Sequence, residues 1–288
     1  MIAQQRFIPK QFLEHLGRRD IGKVLLGDSV AMNMSVLFSD LRKFTPLVES
    51  NPPKTVIQLL NSYYEAVGKP IDEHEGFIGS YSGDEIMALF AVPPVNAVRA
   101  GIKMSEALWE FNAQSGKLNR PELRMGIGLN SGPLVLGTMG GGERIQCAVL
   151  GDTVNLASRI EQLTKSYQSQ FLIGEKTYDS IKDNPEFSLR MVDYVAVKGK
   201  DHAVKIYEVL NAEEDQIRRQ KEESKSLLEN GMNAYFGRDF ASALQHFEEG
   251  SKMYPNDQVF EIFKERSRDY LTNPPDSNWQ GFTKLHNK

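Results

Sequence analysis

VLFSDLRKFT, residues 36–45, is an apolar run that ends on a carboxylate. Val36, Leu37 and Phe38 suit a strand made for burial, Asp40 sits at its tip, and a short polar turn follows. A second stretch, SGDEIMALF at 82–90, reverses the order, with Asp84 and Glu85 placed just before the apolar residues. Neighbouring strands would bring Asp40 and Asp84 to one edge of a sheet. Read singly, each has an ordinary explanation: Asp40 caps the helix that follows, and Asp84 makes a turn. Read together, paired carboxylates without histidine or cysteine suit a hard cation such as Mg²⁺, which also takes substrate phosphates as ligands. The turn LRKFT offers backbone N–H groups, those of Leu41, Phe44 and Thr45 among them, that could cradle a phosphate.

Composition limits the alternatives. With 288 residues, 40% of them hydrophobic and 25% charged, the chain can bury a core, and global disorder is not expected. A net charge of −4 gives no basic face for nucleic acid. The single cysteine, Cys147, cannot close an internal disulfide, and the five histidines lack zinc-ligand spacing, which suits a reducing compartment. No apolar run approaches the roughly 20 residues of a membrane-spanning helix. The longest, IMALFAV at 86–92, stops at Pro93-Pro94, and the N-terminus lacks the apolar centre of a secretory signal. The expectation is a soluble, cytoplasmic chain with no membrane segment, which could still be the intracellular part of a larger protein.

Working outward, residues 7–27 read as a lead-in element with Phe12, Leu13 and Leu16 at helical spacing. A helix is expected over 54–75 after Asn51-Pro52-Pro53, then a hairpin turning at Ser82-Gly83, then a helix over 95–115. LRMGIGLNSGPLVLGTMG (123–140) alternates and is expected to be a second hairpin turning at Asn130-Ser131-Gly132. IQCAVLG reads as a strand and DTVNLASRIEQLTKSY as a helix capped by Asp152 or Thr153. FLIGEKTYDSI, LRMVDYVAVKG and VKIYEVL supply further strands with one short helix between them. Helices lie between strands without strict βαβα alternation, so an α+β fold with a mostly antiparallel sheet is expected. After Leu210 the chain turns charged and helix-forming. Gly231, Ala243, Phe247 and Pro255 stand at tetratricopeptide offsets, with Ala234 where a tyrosine is expected. One such unit seldom stands alone, so it is expected to pack on the first domain rather than capture a peptide. The final stretch reads as an extended tail anchored by Trp279.

A third motif adds chemistry. In GDTVNLASRIE (151–161), Asn155 and Arg159 lie four apart and share a helix face, while Leu156, Ile160 and Leu163 mark the packed side. An amide and a guanidinium on one face suit a sugar oxygen and a phosphate; alone, such a face is more often simply solvated.

VLFSDLRKFT, SYSGDEIMALF, LRMGIGLNSGPLVLG and VLGDTVNLASRIE together resemble the class III adenylate/guanylate cyclase catalytic domain. The resemblance implies a lead-in segment over 1–29, a ferredoxin-like catalytic domain over 30–210 and a helical extension over 211–288. It implies a head-to-tail homodimer with active sites at the subunit interface. Asp40 and Asp84 of one subunit would bind two Mg²⁺ or Mn²⁺ ions per site. Asn155 of the other would position the ribose of a nucleoside triphosphate, and Arg159 would stabilise charge on the α-phosphate. The product would be a 3′,5′-cyclic nucleotide, with pyrophosphate leaving.

Base recognition departs from the family pattern. Adenylate cyclases usually carry lysine where this chain has Ser80, and aspartate or threonine where it has Ala148. Guanylate cyclases commonly hold glutamate and cysteine there, and Cys147 falls one position early. The chain therefore reads as a cyclase using ATP with loosened base recognition, with a cyclase for GTP or a pyrimidine nucleotide as the alternative. A non-catalytic nucleotide-binding domain is a third reading, and a degenerate domain would have no physical need for all of Asp40, Asp84, Asn155 and Arg159.

Overall fold

The computed structural model describes residues 8–18, 20–115, 121–141, 144–196 and 203–284. Its organising strand is β1 (Ser29–Leu41), whose side chains alternate between the two faces of the sheet. Leu37 and Leu41 join a core formed by α3 (Pro53–Glu73) and α4 (Pro94–Ser115). Val36 and Phe38 join an opposite core with Phe12 of α1 (Lys10–His15) and Val154 and Ala157 of α5 (Asp152–Tyr167). Asp40 has the parity of Val36 and Phe38, so it points to the face that α5 covers.

β1 is flanked by β3 (Glu85–Phe90) and β4 (Met125–Gly141), both antiparallel to it. β2 (Gly76–Ser82) pairs with β3 at one edge. Beyond β4 lie β6 (Phe171–Gly174), β8 (Ala203–Val209), β7 (Leu189–Ala196) and β9 (Thr283–Lys284), while β5 (Arg144–Leu150) pairs with the far half of β4. The parallel pairs are β4 with β6 and β7 with β9, so the sheet is mostly antiparallel as expected. The first hairpin turns one residue later than expected, because Ser82 pairs with Glu85 and leaves Gly83-Asp84 as the turn. Residues 197–199 of LRMVDYVAVKG lie outside the described residues.

The hairpin expected at Asn130-Ser131-Gly132 does not form. β4 runs unbroken, paired to β1 from Leu41↔Met125 to Ser29↔Gly137. The polar residues that suggested a turn are satisfied by distant partners. Ser131 Oγ lies 2.8 Å from both Ser35 Oγ and Thr177 Oγ1, and Asn130 Nδ2 donates to Thr153 O at 3.2 Å. The cap of α5 also differs. Gly151 takes the cap position at φ +146, where a side chain would be strained and would crowd Leu134. Thr153 Oγ1 instead donates to Pro133 O at 2.7 Å, and Asp152 lies in the first helical turn, favourable to the helix dipole.

After β8 the chain forms α7 (Asp215–Glu223), α8 (Lys225–Phe236), α9 (Phe240–Met253) and α10 (Gln258–Thr272). Gly231 admits the Phe247 ring, and Gly250 admits that of Phe260. These helices pack on the sheet, as expected. Phe247, Phe260 and Phe263 share one core with Leu172, Val192 and Ile206 of the strands and Ile160 and Leu163 of α5. Trp279 anchors the tail against Tyr235, Phe240 and Tyr270, with ring centroids 5.4–5.7 Å apart.

Buried charges fasten the same junction. Arg190 of β7, fully buried, donates to Glu208 of β8 at 2.6 Å and to Asp257, the α10 cap, at 2.5 Å. Lys221 of α7 donates to Glu208 and Glu213, each at 2.7 Å. Asp193 of β7 accepts from Tyr167 of α5 at 2.5 Å and from Arg266 of α10 at 2.8 Å. Burial alone would raise the Glu208 carboxyl, but the Arg190 and Lys221 charges hold it down to about 2, against an ordinary 4.5. Glu208→Gln should therefore cost about 3–5 kcal/mol at neutral pH, as breaking a buried ion pair does. Since the native pKa lies below the unfolded one, this stabilisation is complete above pH 4.5 and lost as pH falls toward about 2. Urea unfolding across that window should decline in the parent and stay flatter in the variant.

Candidate active site

Asp40 lies opposite Gly126 near the end of β1, and Asp84 lies in the β2–β3 turn beside it. Asp84 Oδ2 accepts the Leu41 N–H at 3.1 Å, tying the turn to the strand end. Gly83, at φ +64, supplies the turn conformation, and the Tyr64 hydroxyl of α3 donates to its carbonyl. The Asp40 carboxyl is close enough to perturb that of Asp84. Burial, then a hydrogen bond and charge from Asp40, raise Asp84 to about 7. Glu85 is also raised, by burial and then by Asp40.

The other wall of the site is α5, which approaches β4 to backbone contact. A Cβ on Gly128 would lie 2.1 Å from Glu161 N, and one on Gly126 would lie 2.1 Å from Thr164 Oγ1. Arg42 fastens the end of this helix, its guanidinium donating to Thr164 O and Ser169 O, each at 2.9 Å. Seated this way, α5 aims two side chains at Asp40. Lys165 Nζ lies 2.7 Å from Asp40 Oδ2. Glu161 is buried, one of its oxygens has no hydrogen-bond partner, and burial followed by the Asp40 charge raises its carboxyl to about 7. The sequence reading passed over both. Their signal is a second i,i+4 pair in RIEQLTK, six residues beyond Asn155 and Arg159.

Asp40 and Asp84 are brought together; the other expected residues are not all beside them. Asn155 precedes Lys165 by ten residues, about 15 Å along a helix, and Arg159 is rotated from Lys165 by about 120°. The amide and guanidinium thus sit on a different part of α5 from the side chains that face Asp40. Ser80, exposed on β2, and Ala148, buried on β5, are separated by β3, β1 and β4. Leu41 has its side chain in the α3/α4 core and its N–H on Asp84. Phe44 packs against that core, and Thr45 is exposed in the first turn of α2 (Phe44–Glu49), where backbone N–H groups lack intrahelical acceptors.

The chemistry of the donor set fits a hard divalent cation: two carboxylates, one carrying a proton near neutrality that a metal can replace. Among the described residues no group of three or more His, Cys, Asp or Glu could hold a metal ion. An ion here would complete its shell with water and substrate phosphate, as Mg²⁺ commonly does.

Residues 29–211 match the adenylate and guanylate cyclase catalytic domain. The chain belongs to that family. It is 42% identical over 211 residues to an adenylate cyclase of Anabaena cylindrica, covering 71% of this chain and 42% of that protein. Among solved cyclase structures, the adenylyl cyclase CyaB of P. aeruginosa is 31% identical with a TM-score of 0.57, covering 63% of this chain and 95% of that one. The guanylyl cyclase Cya2 is 33% identical with a TM-score of 0.56, covering 66% of this chain and 97% of that one. The chain spans less than half the length of the first curated cyclases it matches. No helix among the described residues is long and apolar enough to cross a membrane.

The effect of Asp40 on Asp84 is open to direct test. Asp40→Asn removes the charge that helps hold Asp84 protonated, so the Asp84 carboxyl should titrate at lower pH in the variant. Carbon-13 NMR of labelled aspartate in metal-free protein would check this; an unmoved Asp84 titration would leave burial as its whole cause.

Proposed function

We propose that this chain is a nucleotidyl cyclase that converts ATP to 3′,5′-cyclic AMP and pyrophosphate at sites shared between two copies. The observation that carries the reading is the split within one chain. Asp40 and Asp84 are side by side, while Asn155 and Arg159 occupy another part of α5 and Ser80 and Ala148 lie on separated strands. Each chain then offers two half-sites, which a two-fold dimer would complete. Exposed Val135, Met139, Ile145 and Leu150 on β4 and β5 offer an apolar surface suited to such pairing.

Asp40 and Asp84 of one chain would hold a pair of Mg²⁺ or Mn²⁺ ions beside the triphosphate. Bound there, the ions would make the ribose 3′-OH a better nucleophile and neutralise phosphate charge. The first turn of α2 would donate backbone N–H groups to phosphate oxygens. Asn155 of the other chain would fix the ribose by hydrogen bonding. Arg159 would place its guanidinium on the α-phosphate as charge builds there. The 3′-oxygen attacks the α-phosphorus in line, the bond to the bridging oxygen breaks, and pyrophosphate leaves. Little covalent chemistry falls to the protein, so rate enhancement rests on positioning and preorganised charge.

The dimer is tested by mixing. Asp40→Asn and Arg159→Ala should each be inactive as homodimers, and their mixture should recover partial activity because one of two interface sites is intact. Proven heterodimers without recovery would refute shared sites.

ATP is favoured by the similarity to the Anabaena adenylate cyclase. Ser80 is short and Ala148 has no polar side-chain atom, so together they give the base at most one weak contact. A site that hydrogen-bonds its base rejects others strongly, because mismatch leaves buried polar groups unpaired. Losing two such contacts should cost about 1–3 kcal/mol of discrimination. Turnover of the four nucleoside triphosphates with Mn²⁺ should show ATP preferred but GTP accepted, and Ser80→Lys with Ala148→Asp should sharpen the preference. Faster cyclisation of CTP or UTP would overturn the assignment of ATP, and sharp ATP selectivity in the unmodified protein would mean that other residues read the base.

A further inference from the structure

Lys165 has no part in the reaction as drawn, yet it touches a carboxylate that the reaction needs. Its Nζ is 2.7 Å from Asp40 Oδ2, with the lysine side chain 50% exposed and the aspartate 22%. Among the described residues it is the cation that forms an ion pair with Asp40, and none of them forms an ion pair with Asp84. A pair this exposed contributes little to folding. Its position is nonetheless held by the backbone: Gly126 and Gly128 seat α5 on β4, and Arg42 bonds the carbonyl of Thr164, the residue before the lysine. The groups around it are Asp40, Asp84, Glu85 and Glu161 on the acidic side and Arg42 on the basic side.

A divalent ion entering at Asp40 meets a positive charge within bonding distance of the oxygen it needs. We propose that Lys165 is a resident counter-cation that competes with the divalent ion for Asp40. It keeps metal affinity low in the nucleotide-free protein until substrate phosphates bring further ligands. The flexible four-carbon stem lets the ammonium leave Asp40 without moving the helix. This rests on the assignment of Asp40 and Asp84 as the metal carboxylates, and it makes Lys165 a residue that sets metal affinity rather than one that touches the reacting atoms.

The test uses the full chain without nucleotide, titrated with Mn²⁺ and followed by the EPR signal of free ion. Lys165→Met, which keeps the length and removes the charge, should bind Mn²⁺ about three- to tenfold more tightly, the scale of one partly exposed ion pair with an added like-charge repulsion. Lys165→Arg, which keeps the charge, should stay within about twofold of the parent. Melting in EDTA checks that each variant is folded, and Lys165→Gln replaces the methionine variant if that one is not. Unchanged or weaker Mn²⁺ binding on loss of the charge, while Asp40→Asn still abolishes binding, overturns the competition and leaves the metal site standing. A raised KM for nucleotide with unaltered Mn²⁺ affinity also overturns it, by making Lys165 a phosphate ligand. Mn²⁺ binding indifferent to Asp40→Asn refutes the metal assignment itself, and this inference with it.

Discussion

The contact between α5 and β4 governs the geometry of the site. Gly126 and Gly128 carry no side chain on the face of β4 that meets the helix, so the backbone of Glu161 can lie where a Cβ would otherwise stand. Their strand neighbour across the ladder is the end of β1, where Asp40 faces the same side. One close approach therefore sets three things together: the depth of Glu161, the reach of Lys165 to Asp40, and the direction in which Asn155 and Arg159 leave the helix. A methyl group at Gly128 would meet backbone rather than a flexible side chain, and backbone cannot turn aside.

Much of this is legible in the sequence. An apolar strand ending in Asp40 and a hairpin beginning its return at Asp84 are local patterns, and the structure places those carboxylates together. The period of α3, α4 and α5 was equally plain, since each helix has one broad apolar stripe. The errors came where local chemistry was answered from far away. Asn130 and Ser131 look like a turn because both are polar, but their partners come from Thr153, Ser35 and Thr177, on three other elements. Thr153 looks like a cap, yet its hydroxyl is taken by Pro133. Glu161 and Lys165 carry an ordinary helical charge spacing, and their place at the site depends on how α5 lies over Asp40, which no window of sequence contains.

The α5 helix also joins two cores. Its first turns pack with β1 and α1, while Ile160, Leu163 and Tyr167 belong to the core of α8–α10. The change in composition after Leu210 marks an extension whose helices, as expected, share side-chain packing with the strands and with the helix that carries Asn155 and Arg159. The ionic contacts run the same way, from β7 to the start of α10 through Arg190 and Asp257, and to its middle through Asp193 and Arg266.

Those contacts have a consequence for the order in which the protein is built. A ribosome delivers β7 well before it delivers Asp257 and Arg266. Until then Arg190 has Glu208 without its second carboxylate, and Asp193 has Tyr167 without a cation. The strand nearest the end of the sheet must wait, hydrated and unsealed, for residues more than sixty positions downstream. The nascent chain can assemble the β1–β4 half early, but the edge around β7 closes only as synthesis reaches α10.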